Sequence, residues 1–467
     1  MDAVARAVAY HHPMSLDTTT APADHPAPKP AASLAAILRG RDFRLLWGGE
    51  FVSLLGDQFF LVAMPWLILQ LTGDALTIGG IVAVGAAPRT VFILVGGVLT
   101  DRFSPRTVML YSNVCRMVLV AVLAFLTATG WIQLWMLYGF SFLLGLGYAF
   151  FLPAQSTIIP RLVPENRLQV GNAIIQATTQ LTLFLGPVVA GVLIAVLRHK
   201  GTGSAGTLEE RGIGIVFALD AVSFLVSAVT LSLIKLPSKS AGDRGPAGMS
   251  GVFRSLAEGL SRVWQDRTLR LYFVLIGAVN LALLGPLSVG IPILAHTRFS
   301  GGALAYGGIL SGLGAGALAG AAAAGLFPRP PGRWFAVAML TSTTVLGVGL
   351  ALIGAFASVG PATAAAFLLG VAEGYLIVEF ITWLQLRTPR DELGRILSIL
   401  LFASVGMAPV SNVIAGALIG LNAPWVMIGA GCLIVLVAVI AALSPAVWLL
   451  GENGVRPAGG SSGAGPS

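Results

Sequence analysis

The chain has 467 residues, 56% of them hydrophobic and only 10% charged, with a mean hydropathy of +0.87 and a net charge of +8. Soluble domains carry about 25% charged residues, so this balance excludes a water-soluble fold. The basic residues sit in short segments between apolar runs, with no basic helix or aromatic-basic platform, which excludes a nucleic-acid binder.

Windows of about 20 apolar residues predict an all-α polytopic membrane protein with twelve transmembrane helices. Residues 1–40, with "HHP" and "APADHPAPKP" and no long apolar core, read as a disordered cytoplasmic tail rather than a signal peptide. The first helix, 43–70, carries Glu50 and Asp57 seven residues apart, two turns along one face, and Trp66 further on. The second, 77–99, holds Arg89 after Pro88. It ends in "GGVLTDRFSPR", where Gly97, Asp101, Arg102 and Arg106 interrupt otherwise unbroken apolar sequence. The third, 107–129, contains Asn113, Cys115 and Arg116; the fourth, 134–158, has no charge but offers Tyr148 and Gln155. The fifth, 168–197, contributes Gln176, Gln180 and "LGPVVAG", and the sixth, 213–234, places Asp220 toward its outer end, where a structural role is expected.

Residues 235–267 form a polar linker whose second part, from Val252, alternates apolar and charged residues with helical period and reads as a membrane-surface helix. Thus 41–234 and 268–450 are two six-helix bundles, followed by a flexible cytoplasmic tail, 451–467. The second bundle comprises 268–295, 303–327, 334–357, 361–386, 394–420 and 424–450. Asn280 lies in the first of these. The second has Gly308, Gly312, Gly316 and Gly320 at four-residue spacing, a smooth packing stripe. Glu373, Tyr375 and Glu379 occupy the tenth helix, the two acids about 120° apart, so they cannot face the same point. Cys115 and Cys432, both within apolar runs, read as buried thiols; no disulfide or metal site is expected.

Glu50, Asp57, Arg89, Arg116, Asp220, Glu373 and Glu379 all fall inside helices. Each costs about 2.5–3.5 kcal/mol at a lipid-facing centre, so they should face the interior or a wet cavity. Arg89 could pair with Asp57 or Glu50. Trp66, Arg89, Tyr148, Gln155, Gln176, Gln180, Asn280 and Tyr375 are candidates for lining a cavity for an amphipathic substrate. With both termini inside, 22 of 28 Lys and Arg fall on the cytoplasmic side and four outside, which sets the orientation. The stretch 143–164 aligns without gaps to 368–389, an offset of 225 that also matches "AGVLI" with "AGALI". Two parallel repeats follow.

Two six-helix halves, a central polar linker and "GGVLTDRFSPR" between the second and third helices resemble the major facilitator superfamily. The family's loop pattern is G-x-x-x-D-R-x-G-R-R/K; Gly97, Asp101, Arg102 and Arg106 match, and Ser104 and Pro105 depart from it. The resemblance implies a cytoplasmic latch in which Asp101 meets the start of the eleventh helix, near Gly394–Arg395; Glu379 either belongs to this gate or pairs only with a loop arginine. "FRLLWGGEFVSLLGDQFFLVAMPWLILQLTG" and "NVCR" resemble the subfamily of enterobactin exporters and macrolide efflux proteins. Gly186, Pro187 and Gly191 match the antiporter pattern G-P-x-x-G-G, with Ala190 in place of one glycine. The fourth-helix arginine of many proton-coupled drug exporters has no counterpart here.

The first helix lines the central cavity in this family. That implies Asp57 as the coupling acid with Arg116 as partner, and Glu50 and Glu373 as further proton-coupling candidates. No phosphate-loop motif and no catalytic constellation point to a pump driven by ATP or to an enzyme. The expected function is a proton-driven exporter of amphipathic small molecules, of drug, macrolide or siderophore type. It would work by alternating access as a monomer in a bacterial-type plasma membrane, without a cofactor. Facilitated transport, import, lysophospholipid translocation and a transport-dead sensor are the alternatives.

Overall fold

The computed structural model describes residues 37–164, 167–199, 205–235, 260–388 and 396–448, without positions 38, 262, 397–398, 401–402 and 405. Both tails and residues 236–259 lie outside it. A chain without water around it must satisfy its backbone internally, and helices do so within one segment. The first bundle comprises α1 (Arg41–Thr72), α2 (Ala75–Arg102), α3 (Pro105–Ala128), α4 (Leu134–Leu162), α5 (Leu168–His199) and α6 (Ala205–Leu233). The second begins with α7, in which Arg267–Gly285 passes through a π-helical segment, Pro286–Gly290, into Ile291–Thr297. It continues with α8 (Ala303–Leu326), α9 (Arg333–Ala355) and α10 (Val359–Arg387). Eleven described segments are long and apolar enough to cross a membrane.

The last of these, Ala408–Ala442, is two helices joined without a loop, α11 (408–421) and α12 (423–442), which makes twelve. Asn422 leaves the helical region at φ −164° and ψ 96°, and its side chain accepts a hydrogen bond from the Trp425 N–H at 3.3 Å. It caps the next helix, which Pro424 can enter because its missing N–H is unneeded in a first turn. The sequence suggests a twelfth helix reaching 450, but it stops at Ala442: Ser444 precedes Pro445, and a residue before proline is pushed out of the helical region.

Lipid tails are as apolar as leucine, so these helices associate by close packing rather than by escape from water. Gly145 of α4 and Gly370 of α10, related by the 225-residue offset, sit directly against the Gly85 carbonyl of α2 and the Leu313 carbonyl of α8. The repeat read from sequence is therefore a repeat of contacts. On α8, Gly312, Gly316 and Gly320 admit the backbone of α10, whereas Gly308 meets nothing. Gly307, Ser311 and Gly314 form a second stripe on α8 that faces α5 in the other half.

The seam between the halves is itself twofold. Gly307 abuts the Pro187 carbonyl and Gly191, while Gly79 of α2 abuts the Asn412 carbonyl and Gly416 of α11. Pro187 and Asn412, like Gly191 and Gly416, are 225 residues apart. All these contacts lie from mid-membrane to the face opposite the linker. There, one apolar core runs through both halves, including Trp66, Leu67, Ile293, Leu294, Tyr306 and Met427. On the linker face the cores are separate: Phe43, Leu46, Met109, Ile158 and Leu231 in the first half, Leu269, Tyr272, Phe335, Phe380 and Trp383 in the second. Among the described residues the halves are thus joined on the far side, while their buried cores stay separate on the linker side, the arrangement of a cleft open toward the linker.

Exposed Trp131, Trp135 and Trp425 ring the far face, and Trp264 and Trp334 the linker face, as aromatic belts at membrane interfaces do. The end of the proposed surface helix is helical at 260–261 and 263–265, with Val263 buried in the second-half core and Trp264 exposed. Cys115 and Cys432 are exposed on the helix surfaces rather than buried. An apolar run places a thiol at membrane depth but does not choose between core and lipid.

Candidate functional site

The first bundle gathers five charged side chains. α1 supplies Glu50 and Asp57, α2 Arg89, α3 Arg116 and α6 Asp220. At the centre, Arg116 Nη1 lies 3.6 Å from Asp57 Oδ1, an ion pair too long for a direct hydrogen bond. The two ends differ: the Arg116 side chain is 3% exposed and that of Asp57 28%.

Arg116 is held by one amide and two aromatic rings. Its guanidinium donates to Asn113 Oδ1 one turn back, and it lies 4.4 Å from the ring centres of Phe151 in α4 and Phe224 in α6. Asn113 is anchored in turn, donating to Ser227 Oγ at 2.8 Å. A cation between two rings in a dry site gains about 2 kcal/mol from each favourable face.

Glu50 and Asp57 do share a face of α1, but they meet different partners. Glu50 is 1% exposed and accepts a hydrogen bond from Gln155 Nε2 at 2.7 Å, while its other oxygen has no partner among the described residues. Asp220, expected toward the outer end of α6 in a structural role, lies in the cluster within electrostatic reach of Asp57 and Arg116. It is fully buried, accepts from Ser223 Oγ at 3.3 Å and has no partner for its other oxygen among the described residues. Gly56 makes room for it, since a side chain there would overlap Asp220 and Ser223. Arg89 chooses neither acid as a contact partner: it stacks over the Tyr148 ring at 4.4 Å, within electrostatic reach of Asp57. Three carboxyl groups and two guanidinium groups therefore share one membrane-embedded pocket.

The second bundle is sparser. Glu373 has no hydrogen-bond or ion-pair partner among the described residues. It occupies the position of Tyr148 in the repeat, on the side of α10 away from Glu379. Glu379 pairs with Arg329 in the α8–α9 turn at 3.5 Å. Arg329 also sits 3.9 Å over Phe335, and this burial holds its pKa below the usual arginine value while Glu379 opposes the shift. The ion pair joins two parts of one half, in line with the reading in which Glu379 pairs with a loop arginine.

Of the gate motif, Arg106 donates to the Leu231 and Ser232 carbonyls at 2.7 and 2.5 Å, closing the end of α6 within the first half. The side chains of Gly97, Asp101 and Arg102, and residues 391–395, lie outside the described residues. Pro187 and Gly191 are in the far-side seam, where they meet α8, whereas Gly186 takes the Gln58 side chain of α1 within the first half.

The cavity candidates divide. Gln176 and Gln180 continue the stripe of α5 that meets α8 through Leu183, Pro187 and Gly191, at the level where the halves have parted, so they face the cleft. Tyr148 and Gln155 line it through Arg89 and Glu50, and Asn280 is half-buried on α7. Trp66 does not line it: it is 2% exposed in the shared core, edge-on to His296 at 5.8 Å. Tyr375 faces an outer groove with Trp334 and Val371. Leu61, one turn beyond Asp57 on the same face, is 44% exposed and marks how far the cleft reaches. Sequence reasoning missed it because an exposed leucine inside an apolar run carries no signal. Phe151 and Phe224 were missed for the same reason.

The Major Facilitator Superfamily profile matches residues 46–408. The chain is 26% identical over 370 residues to the multidrug efflux pump Tap of Mycolicibacterium fortuitum, covering 78% of this chain and 85% of that one. It is 23% identical over 259 residues to macrolide efflux protein A of Streptococcus pyogenes, which is 56% of this chain and only 60% of that protein's length. Among solved structures, a POT family transporter in complex with a thioalcohol-conjugated peptide superposes with a TM-score of 0.66 at 16% identity, covering 86% of this chain and 96% of that one. A bacterial homolog of the human lysosomal transporter Spinster, inward-facing and occupied, gives 0.64 at 12% identity over 89% and 97%. With the profile spanning most of the chain and the same two-bundle fold in these structures, the chain belongs to the major facilitator superfamily.

Proposed function

We propose that this transporter is a proton-driven exporter of amphipathic small molecules, of drug, macrolide or siderophore type, working by alternating access in a bacterial plasma membrane. The observation that carries the reading is the asymmetry of the central ion pair. Arg116 is immobilised by Asn113, Phe151 and Phe224, so Asp57 is the member that can exchange partners. Protonating Asp57 removes its attraction to Arg116. Losing the proton restores it, so the charge of the pocket wall follows proton occupancy.

Glu50, beside Gln155, and Asp220, against α1, leave the cluster with more carboxyl groups than guanidinium groups, a surplus in which a proton can be held. In the second half, Glu373 takes the repeat position of Tyr148, which stacks with Arg89 in the first. The cleft between the halves is apolar above Asp57 and amide-lined below, at Gln176 and Gln180, which suits a substrate with both characters. The excess of Lys and Arg on the linker side supports a cytoplasmic linker face with both termini inside. The present form is then open to the cytoplasm, where an exporter loads. The efflux names of the two relatives support the direction.

The test is uptake into inverted membrane vesicles of a panel of labelled macrolides, dyes and siderophores under an imposed pH gradient, later collapsed with an ionophore. Uptake that disappears with the gradient supports the reading. Uptake that persists makes the protein a facilitator.

A further inference from the structure

We propose that the groove on the outer surface between α8, α9 and α10 is a binding site for one anionic phospholipid of the linker-side leaflet, its acyl chain in the groove and its phosphate at Arg333. The groove holds about 500 Å³ and is lined by Ala323, Val337, Ala338, Val345 and Val371 among others, with Pro330 and Trp334 at its mouth. Its α9 wall runs from Trp334 to Val345, positions one helical face apart, over about 16 Å. That is about half the hydrocarbon thickness of a bilayer, the depth of one leaflet. It reaches from the interface inward and faces away from the substrate cleft.

The mouth supplies the headgroup chemistry. Leu326, Phe327 and Trp334 are exposed around it, fixing the turn 327–332 at the level where apolar side chains meet headgroups. Among the described residues, two guanidinium groups stand there. Arg329 is spoken for by Glu379 at 3.5 Å, which leaves Arg333 exposed over Trp334 at 5.6 Å, with no carboxylate partner among the described residues. Two positive charges against one negative leave a residue of one, which a phosphodiester with an uncharged headgroup matches and a zwitterionic lipid does not.

A second surface groove, between α3 and α6, provides the contrast. It has a similar volume, about 510 Å³, and an apolar lining from Met117 to Leu225, but it opens at the far face. Among the described residues near its far end, Glu210 stands beside Arg211, and the two charges balance. An apolar groove alone would hold any acyl chain; the free arginine is what selects an anionic one.

The measurement is native mass spectrometry of the full-length protein titrated with phosphatidylglycerol or phosphatidylcholine of identical acyl chains. The expected result is one tightly retained phosphatidylglycerol, favoured over phosphatidylcholine by about fivefold, the factor one interfacial arginine supplies. Arg333→Gln, an exposed substitution that leaves the fold intact, should abolish the preference while keeping weak retention of both lipids. Ala338→Phe should fill the groove and reduce retention of both, whereas Ala218→Phe in the α3–α6 groove should leave the preference unchanged. Equal retention of the two lipids by the native protein would overturn the proposal. So would a preference that survives Arg333→Gln, or displacement of the lipid by soluble glycerophosphoglycerol, which would leave the groove without a part.

Discussion

Arg116 and Asp57 face each other across 3.6 Å between α3 and α1, and only Asp57 is open to the cleft. The arginine is held by an amide and two aromatic rings that do not depend on the carboxylate. Removing the guanidinium should be far worse than removing the acid. Arg116→Ala strands three carboxyl groups without their central cation, and breaking a buried pair in this way costs about 3–5 kcal/mol. We expect a large fall in thermal stability in detergent, read by size-exclusion survival after heating. Arg116→Lys keeps the charge but loses the planar stacking between the rings, and should fall between native and Ala.

The π segment of α7 depends on a borrowed hydroxyl. Ser411 Oγ of α11 accepts the Gly285 N–H at 2.7 Å and donates to the Leu281 carbonyl at 2.7 Å, just before Pro286 interrupts the ladder. Ser411→Ala would leave a buried donor unsatisfied, at a cost of about 1–3 kcal/mol. A lowered melting temperature with normal membrane insertion is the expected outcome, and Ser411→Thr should recover part of it.

The far-side seam closes because glycines let backbones touch. Any side chain at Gly79 overlaps the Asn412 carbonyl, and the same holds for Gly307 and Pro187. Gly79→Leu should therefore force the halves apart on the far face and favour the opposite opening. In a background with Cys115 and Cys432 replaced, Leu61→Cys should react with an impermeant thiol reagent from the linker face alone. Adding Gly79→Leu should make it reactive from the far face as well.

Asp74 caps α2, accepting from the Leu76 and Thr77 N–H groups and from the Thr77 hydroxyl at 2.6 Å. These bonds, the hydroxyl first, hold its pKa below the usual aspartate value. A depressed folded value means the cap stabilises above the unfolded value of about 3.9 and is lost as the pH falls through the folded one. Asp74→Ala should cost about 1 kcal/mol at neutral pH. The gap between variant and native protein should close as the pH is lowered below about 4, measured by thermal melts across pH.

Much of the architecture was legible because hydropathy and the repeat are one-dimensional signals. Spans such as α8 and α10 agree within a few residues, since each apolar run ends where charges or Pro and Gly begin. The offset of 225 carries contacts as well as letters, as Gly145 and Gly370 demonstrate. What hydropathy cannot supply is rotation about the helix axis. Cys115 and Asn113, two residues apart, face outward and into the core, and only packing separates them. Asp220 looked structural because its depth along α6 was read without its face, which Gly56 receives. Trp66 and Tyr375 failed as cavity residues for the same reason. The Asp57–Arg116 pairing was reachable because intramembrane charges are few and must find each other.

The measurement that bears most directly on proton-coupled export is gradient-driven uptake by Asp57→Asn in inverted vesicles, with its membrane content matched to the native protein. Asparagine keeps the size and polarity of the side chain but cannot exchange a proton. The account predicts that gradient-driven accumulation is lost while substrate binding, measured separately on the purified variant, remains. Full accumulation by Asp57→Asn under the same gradient would contradict it and leave the central ion pair as structure.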